Sequence, residues 1–294
     1  RYCGGYRGEY GWVADGSTIL AETELVERLK VVMLKRPRSV IMAEQPPKTR
    51  HVVRIESDKP IKHVRRKYLR DLNDKTSASR TALQETFEIK LPHVVDALLQ
   101  EMVEGEKAAV FVYNVESSKR LGKALTEAMS SKDIQARMRK VNAQVWQVSG
   151  EESADTRATF ARTFREHKGA GIFVATIDSV QVAVSLKGAS TVHFMDLHWI
   201  PSALLQAEDR PYERGCKVQV IYYLVRGSID EHIEASVTPR LKALEKTMNE
   251  EEATNVVSAF QASQEEKETL EEIWARLLKN VDDDVEEISD PHED

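Results

Sequence analysis

Gln206 and Arg210 stand four residues apart in the stretch Gln206-Ala-Glu-Asp-Arg-Pro-Tyr-Glu-Arg-Gly215, between Trp199-Ile-Pro201 and the apolar run Val218–Val225. On a short helix that spacing puts both side chains on one face. An amide and a guanidinium held there between two sheet strands reach a phosphate or nucleotide bound across a cleft. The guanidinium offers a planar fork of donors and keeps its charge. Arg210 also has a plainer reading, a structural ion pair with Glu208 or Asp209, and both readings stand at this point. His193 and His198 flank a strand pattern without a third ligand at useful spacing, so no metal site is expected. Cys216 stands alone and reads as buried filler, not as a nucleophile.

The elements that must carry these residues follow from pattern. Ala108–Tyr113, Val145–Val148, Gly171–Thr176, Ser190–Asp196 and Val218–Val225 are short apolar runs separated mostly by helical segments. Such alternation predicts an α/β fold with a mainly parallel sheet covered by helices, whose ligands sit beyond the carboxyl ends of the strands. Ser117 and Ser118 are expected to cap the helix after the first run, and Ser228-Ile-Asp-Glu231 forms a capping-box pattern for a helix to about Met248. Additional N-terminal helices are expected at Thr23–Arg36, near Ile61–Leu72 and at Thr81–Val103, the last kinked or divided at Pro92. A C-terminal one is expected at Phe260–Leu278. Residues 1–16 read as loop, Pro46-Pro47 as a linker and His51–Ile55 as a short strand.

The chain has 294 residues, enough for a full core, with 41% hydrophobic and 31% charged residues. Two cysteines suit a reducing, intracellular setting, nucleus or cytoplasm, and no apolar run approaches a membrane span. The net charge of −6 divides unevenly. From Glu265 onward there are 13 acidic and 3 basic residues, a −10 tail behind a body with 39 basic and 35 acidic residues. A mildly positive body suits contact with a phosphate backbone. The sequence contains no Gly-rich loop ending in Lys-Ser/Thr and no paired-acid magnesium motif after a strand. Nucleotide gripping of the P-loop kind must therefore come from a second lobe, upstream of Arg1 or on another molecule.

Matching positions then occur in order: Arg1-Tyr-Cys, Trp12, Leu34-Lys-Arg36, Pro46-Pro-Lys-Thr-Arg50, Ala109-Val-Phe-Val-Tyr113, Gly150, Arg157, Phe164, Thr176, Ala189-Ser190, Trp199, Pro201, Gln206-Ala-Glu-Asp-Arg210, Gly215 and Asp230-Glu231. On these residues the chain resembles the C-terminal RecA-like lobe of an SNF2-type DNA translocase, of the annealing-helicase branch. The resemblance covers most of residues 1–235 and is densest over 108–233. It implies the end of a first lobe and the crossing segment at 1–50, and a linker or helical insertion at 51–105. The RecA-like helicase C-terminal lobe follows at 106–248, then a helical segment at 249–281 and an acidic disordered tail at 282–294.

The resemblance also implies roles. Arg210 and Gln206 would face ATP, bound with Mg2+ mainly by the absent N-terminal RecA-like lobe, with Arg214 as a third candidate. Thr176, Asn114, Ser117, Trp199, Arg65, Arg66 and Lys67 would meet double-stranded or branched DNA. Each has a bland counterpart: a satisfied strand-end hydroxyl for Thr176, packing beside Pro201 for Trp199, solvated helix surface for the basic run. The acidic tail would limit DNA binding or recruit a basic protein. Some positions depart from the family. Glu213 replaces a usual second arginine, and Cys216 replaces a glutamine. The loop Asp178–Ala183 lacks glycine, so that Val180 and Gln181 are expected to block close approach of phosphate and Asp178 to repel it. These departures keep open a degenerate, non-catalytic RecA-like scaffold as the alternative.

Overall fold

Ala108–Val112, Gly171–Thr176 and Thr191–Phe194 are buried along their whole length. Strands hidden on both faces need helices above and below, and the computed structural model has that arrangement. It describes residues 3–8, 11–19, 21–34, 48–57, 61, 77–180, 184–212, 216–248 and 251–263. In chain order these form β1 Cys3–Gly8, β2 Gly11–Ile19, α1 Glu22–Val32, β3 Thr49–Ile55, α2 Ser77–Val103, β4 Lys107–Val112, α3 Val115–Met129 and α4 Lys132–Lys140. Then come β5 Gln144–Val148, α5 Ala154–Glu166, β6 Gly171–Thr176, a 3-10 turn at Ile177–Val180, β7 Thr191–Phe194, α6 Pro201–Glu208, β8 Gln219–Val225, α7 Ile229–Met248 and α8 Glu251–Ala262.

The main sheet runs β3-β8-β7-β4-β6-β5, and every neighbouring pair is parallel. Val112 lies opposite Thr176, Val148 opposite Ala175, and Phe111 opposite Phe194. Alternate side chains feed two cores. Ala109, Phe111, Phe173, Phe194 and Tyr222 meet α5, α6, α7 and α8, while Ala108, Val110, Ile172, Val174 and Tyr223 meet α2, α3 and α4. β1 and β2 pair antiparallel as a separate hairpin, where loop was expected. Extended glycine-rich backbone can pair without an apolar alternation to announce it.

The segment expected as linker and insertion is part of the sheet. β3 pairs with β8 from Thr49 to Ile55, across the boundary placed at residue 50, and α2 covers one face. α2 runs through Pro92 as one helix. Phe87, Lys90, Leu91, Val94 and Leu98 on both sides of the proline are buried against the same face, and Pro92 itself is exposed. The cap of α3 is Asn114, whose Oδ1 accepts the Ser117 amide at 2.7 Å, instead of the two serines. At α7 the Ser228 hydroxyl accepts the Asp230 amide at 3.1 Å. Arg36, Pro46-Pro47, the helix near 61–72 and the acidic residues 282–294 lie outside the described residues, as does the part of the C-terminal helix beyond Ser263.

A lysine sits in the apolar stripe of α2. The Lys90 ammonium is 0% exposed and donates to Asp196 Oδ1 at 3.0 Å and to both Asp230 oxygens at 3.2 and 3.1 Å. Asp196 accepts the Tyr113 amide and Asp230 the Val225 amide, each at 2.9 Å. Burial alone would lower the Lys90 pKa, but Asp230 and Asp196 outweigh it and raise it. Lys90→Met is expected to destabilise the fold by about 3–5 kcal/mol, the usual penalty for leaving buried carboxylates without their cation. Urea unfolding measures this, and a loss below about 1 kcal/mol would refute it.

His232 on α7 meets the Trp199 indole edge-on at 5.8 Å, and burial pushes its imidazole from 6.5 down to about 4. With the folded value below the unfolded one, the unfolded chain takes up the proton first. Stability is level above the ordinary histidine range, falls as pH drops from 6.5 toward 4, and levels off below. The expected loss across that window is about 3 kcal/mol. Unfolding midpoints measured at several pH values should slope more steeply for the wild type than for His232→Gln; equal slopes contradict the prediction.

Candidate functional site

Three neighbouring strands end at one cleft. β4, β6 and β5 deliver Tyr113 and Asn114, Thr176, and Gly150 to its wall, and α2 contributes Arg80 and Gln84. The cleft has a volume of about 660 Å3 and is completed by Val115, Glu116 and Asp178. Its position beyond the carboxyl ends follows from parallel topology, because every strand-to-helix connection emerges at that edge. α3 starts in the cleft wall, and its first-turn amides carry partial positive charge. Asn114 spends its side-chain oxygen on the Ser117 amide and retains its amide hydrogens for a ligand.

Thr176 is the last residue of β6, 4% exposed, and its carbonyl accepts the Ser179 hydroxyl at 2.7 Å. A Cβ built on Gly150 meets nothing within 4 Å, so the approach to the end of β5 is open. Val180, expected to obstruct the neighbouring backbone, is instead 0% exposed inside the core; Gln181 lies outside the described residues. Asp178 does stand at the cleft, with its carboxylate 3.2 Å from His198 Nε2. Two carboxylates, Asp178 and Glu116, therefore share the wall with one guanidinium, Arg80.

Gln206 and Arg210 occupy a second place. α6 starts with Pro201 in its first turn and buries Ala203, Leu204 and Ala207 while leaving Gln206 exposed. The helix stops at Glu208, so Arg210 sits in the following turn and not on the helix. Its amide donates to the Ala207 carbonyl at 3.1 Å, and its carbonyl accepts the Leu186 amide at 2.8 Å. Burial lowers the Arg210 pKa, offset in part by Asp209. A guanidinium remains charged through such a shift.

Of the two acids that the plain reading of Arg210 offered, Asp209 acts on its charge, while Glu208 is held by other donors. Its fully buried carboxylate accepts Arg50 Nε at 3.0 Å and Nη2 at 2.6 Å, Lys48 Nζ at 3.2 Å and the Tyr222 hydroxyl. Burial pushes the Glu208 pKa up, but Lys48 and Arg50 overcome it and hold the carboxyl below the usual range.

The remaining candidates separate. Ser117 is 1% exposed in the first turn of α3 and does not line the cleft. Trp199 is 7% exposed, with its carbonyl held by Arg240 Nη1 at 3.1 Å, so its ring packs in the core and is not offered to a base. Cys216 is exposed, contrary to the buried filler expected. His193 lies between Tyr223 (3.0 Å) and Glu101 (3.1 Å). Among the described residues no group of three or more His, Cys, Asp or Glu is arranged to hold a metal ion. Arg65, Arg66, Lys67, Glu213 and Arg214 lie outside the described residues. Sequence reasoning missed Arg80 and Gln84, which nothing distinguishes from other polar positions near the start of a helix. It also passed over Lys48 and Arg50, named only within a matching stretch; two cations at the start of a strand were the available signal.

The profile of the helicase conserved C-terminal domain matches residues 90–215. Among curated proteins, the SWI/SNF-related matrix-associated actin-dependent regulator of chromatin subfamily A-like protein 1 of Xenopus tropicalis is 23% identical over 257 residues, covering 83% of this chain and 26% of the relative. Its Bos taurus counterpart is 26% identical over 261 residues, with 83% and 26% covered. The DNA annealing helicase and endonuclease ZRANB3 of Mus musculus is 24% identical over 315 residues, covering 99% of this chain and 27% of the relative. The chain thus spans about a quarter of the length of these relatives. With a parallel sheet, a cleft at its carboxyl edge and these matches together, the chain is similar to SNF2-type helicase C-terminal lobes, and the helicase conserved C-terminal domain matches residues 90–215.

Proposed function

We propose that this chain is the second motor lobe of an ATP-dependent translocase or helicase acting on double-stranded or branched DNA, inactive without a first lobe. The observation that carries this reading is the meeting of Asn114, Gly150 and Thr176, from three adjacent strand ends, in one cleft beside the start of α3. Amide, hydroxyl and helix-terminal donors suit phosphate oxygens and read no base, as movement along a duplex requires. Arg80 adds the one cation of that wall. ATP with Mg2+ would supply the phosphoryl transfer whose free energy drives movement. The donor set at the end of α6 fits phosphate oxygens, because Arg210 and the amide of Gln206 present hydrogen-bond donors there; Arg214 is a further candidate. Metal ligation is left to the first lobe, since no acidic cluster suited to it occurs among the described residues. Arg210 would stabilise charge developing on the transferring phosphoryl, and Gln206 would orient the attacking water. Thr176 and Asn114 would hold the DNA backbone while the lobes close. Arg65, Arg66 and Lys67 remain proposed phosphate contacts, and residues 282–294 a proposed site for a basic protein. A regulator of chromatin among the relatives favours the nucleus.

In a two-lobed protein containing this chain, Arg210→Ala is expected to lower kcat for DNA-stimulated ATP hydrolysis by about 10³-fold or more. Arg210→Lys should not restore it, because an ammonium lacks the planar fork. Unchanged kcat in Arg210→Ala would remove the assignment. On the chain itself, Arg80→Gln should weaken duplex binding and reduce the salt slope by about 1. Asp178→Asn should tighten binding by about 2–5-fold at low salt, by removing a carboxylate from the wall. Fluorescence anisotropy with a labelled duplex reads both, and affinity indifferent to either change counts against the cleft.

A second reading rests on Asp178 and Glu116 outnumbering Arg80 at the cleft. In it the lobe is a non-catalytic scaffold that holds DNA or protein, and hydrolysis is insensitive to Arg210.

A further inference from the structure

Lys48, at the start of β3, is enclosed on the side of the sheet where α6 ends. Its side chain is 1% exposed, and its ammonium lies 3.2 Å from Glu208, 2.5 Å from Asp209 and 3.9 Å from Glu252. The same ammonium sits 5.9 Å from the centre of the Tyr212 ring. Residues 208, 209 and 212 bracket Arg210 in the chain, so one cation grips both flanks of the turn that carries the guanidinium. Arg50, two residues along β3, reinforces the grip through its two hydrogen bonds to Glu208 and an ion pair with Glu252 on α8. The Arg210 carbonyl is tied in turn to Leu186, which follows in sequence the 3-10 turn after Thr176 of the cleft.

From this geometry we propose that Lys48 is a positioning residue for Arg210, setting the turn at 209–212 from the end of the crossing segment. The proposal rests on the reading of Arg210 given above and deepens it. Stability is a poor reason to keep an ammonium here. A buried ion pair is often no better than a well-packed apolar side chain of similar volume, because desolvation consumes the attraction. A hydrogen-bonded charge does supply direction and tight tolerance, and a guanidinium displaced by about 1 Å loses about a hundredfold in rate. Through Lys48, displacement of the crossing strand moves the turn of Arg210. Through Leu186, the Arg210 carbonyl is also held from the segment that resumes at Val184. Arg210 is thus fixed on two sides, by the start of β3 and by this second segment.

The test measures steady-state DNA-stimulated ATP hydrolysis on a two-lobed protein containing this chain. Lys48→Met keeps the length of the stem without its charge. Asp209→Asn, at a carboxylate partly open to solvent, breaks one arm with little risk to folding and carries the test alone where Lys48→Met does not fold. Each is expected to lower kcat about 10–100-fold with KM for ATP and duplex unchanged. In an Arg210→Ala background neither should cost anything further. Arg54→Met is the control: it breaks the equally buried Arg54–Glu234 pair (2.7 Å) on the same strand, away from α6, and should keep kcat. Full kcat in Lys48→Met and Asp209→Asn, with Arg210→Ala inactive, overturns the proposal and leaves the motor reading intact. Losses that multiply with Arg210→Ala, or that Arg54→Met reproduces, also overturn it, because they mark a general loosening of the edge strand. Normal kcat in Arg210→Ala overturns both.

Discussion

The Lys90 ammonium joins parts of the chain that no local rule would bring together. It reaches from α2 to carboxylates 106 and 140 residues away, and those carboxylates accept the Tyr113 and Val225 amides just past β4 and at the end of β8. Asp196 itself follows β7. Three carboxyl ends of the sheet are therefore held by one buried charge and its two counter-charges. The cleft opens at that edge, and Tyr113, which lines it, is bonded to the network through its amide. Desolvation makes such a site costly to assemble and rigid once assembled. Precise placement of the strand ends matters more there than added stability.

A second buried carboxylate plays a corresponding part at the end of α6. Glu208 is satisfied by Lys48, Arg50 and Tyr222, donors from two adjacent strands. The helix that presents Gln206 is thereby fastened to the edge of the sheet, and Arg210 emerges from the fastening in a turn. The two candidate sites are distinct in space but built alike. Each consists of polar groups offered at a helix or strand end and held from behind by an ion cluster centred on a buried charge. Arg54, bonded to Glu234 and to the carbonyls of Phe260 and Ser263, repeats the device where α8 meets the sheet.

Legibility varied with how strongly the interior selects composition. β4, β5, β6, β7 and β8 were readable to within a residue or two at most ends, because strands covered on both faces are continuous apolar runs. β3, an edge strand that alternates exposed and half-buried positions, had a weaker signature: a short strand was expected only from His51, and its place in the sheet was not. α4 buries only Met138 and is otherwise dominated by charge, so no apolar stripe announces a helix there. Thr176 and Asn114 were recognisable as strand-end donors, and the structure places them in one cleft. Trp199 and Ser117 were equally attractive by residue type, and neither lines that cleft.

Taken alone, the order of residues determined the α/β alternation and the carboxyl edge as the place where a cleft forms, and set Gln206 and Arg210 near each other but not on one helix. Local patterns suffice for these, since apolar periodicity and helix spacing are properties of neighbouring residues. Tertiary structure alone decided which charges share a site: Lys90 with Asp196 and Asp230, Lys48 and Arg50 with Glu208, Asp178 with the cleft. The free energy of a charge depends on its burial and on the partners within a few ångströms. Those are set only when strands far apart in the chain come to lie side by side.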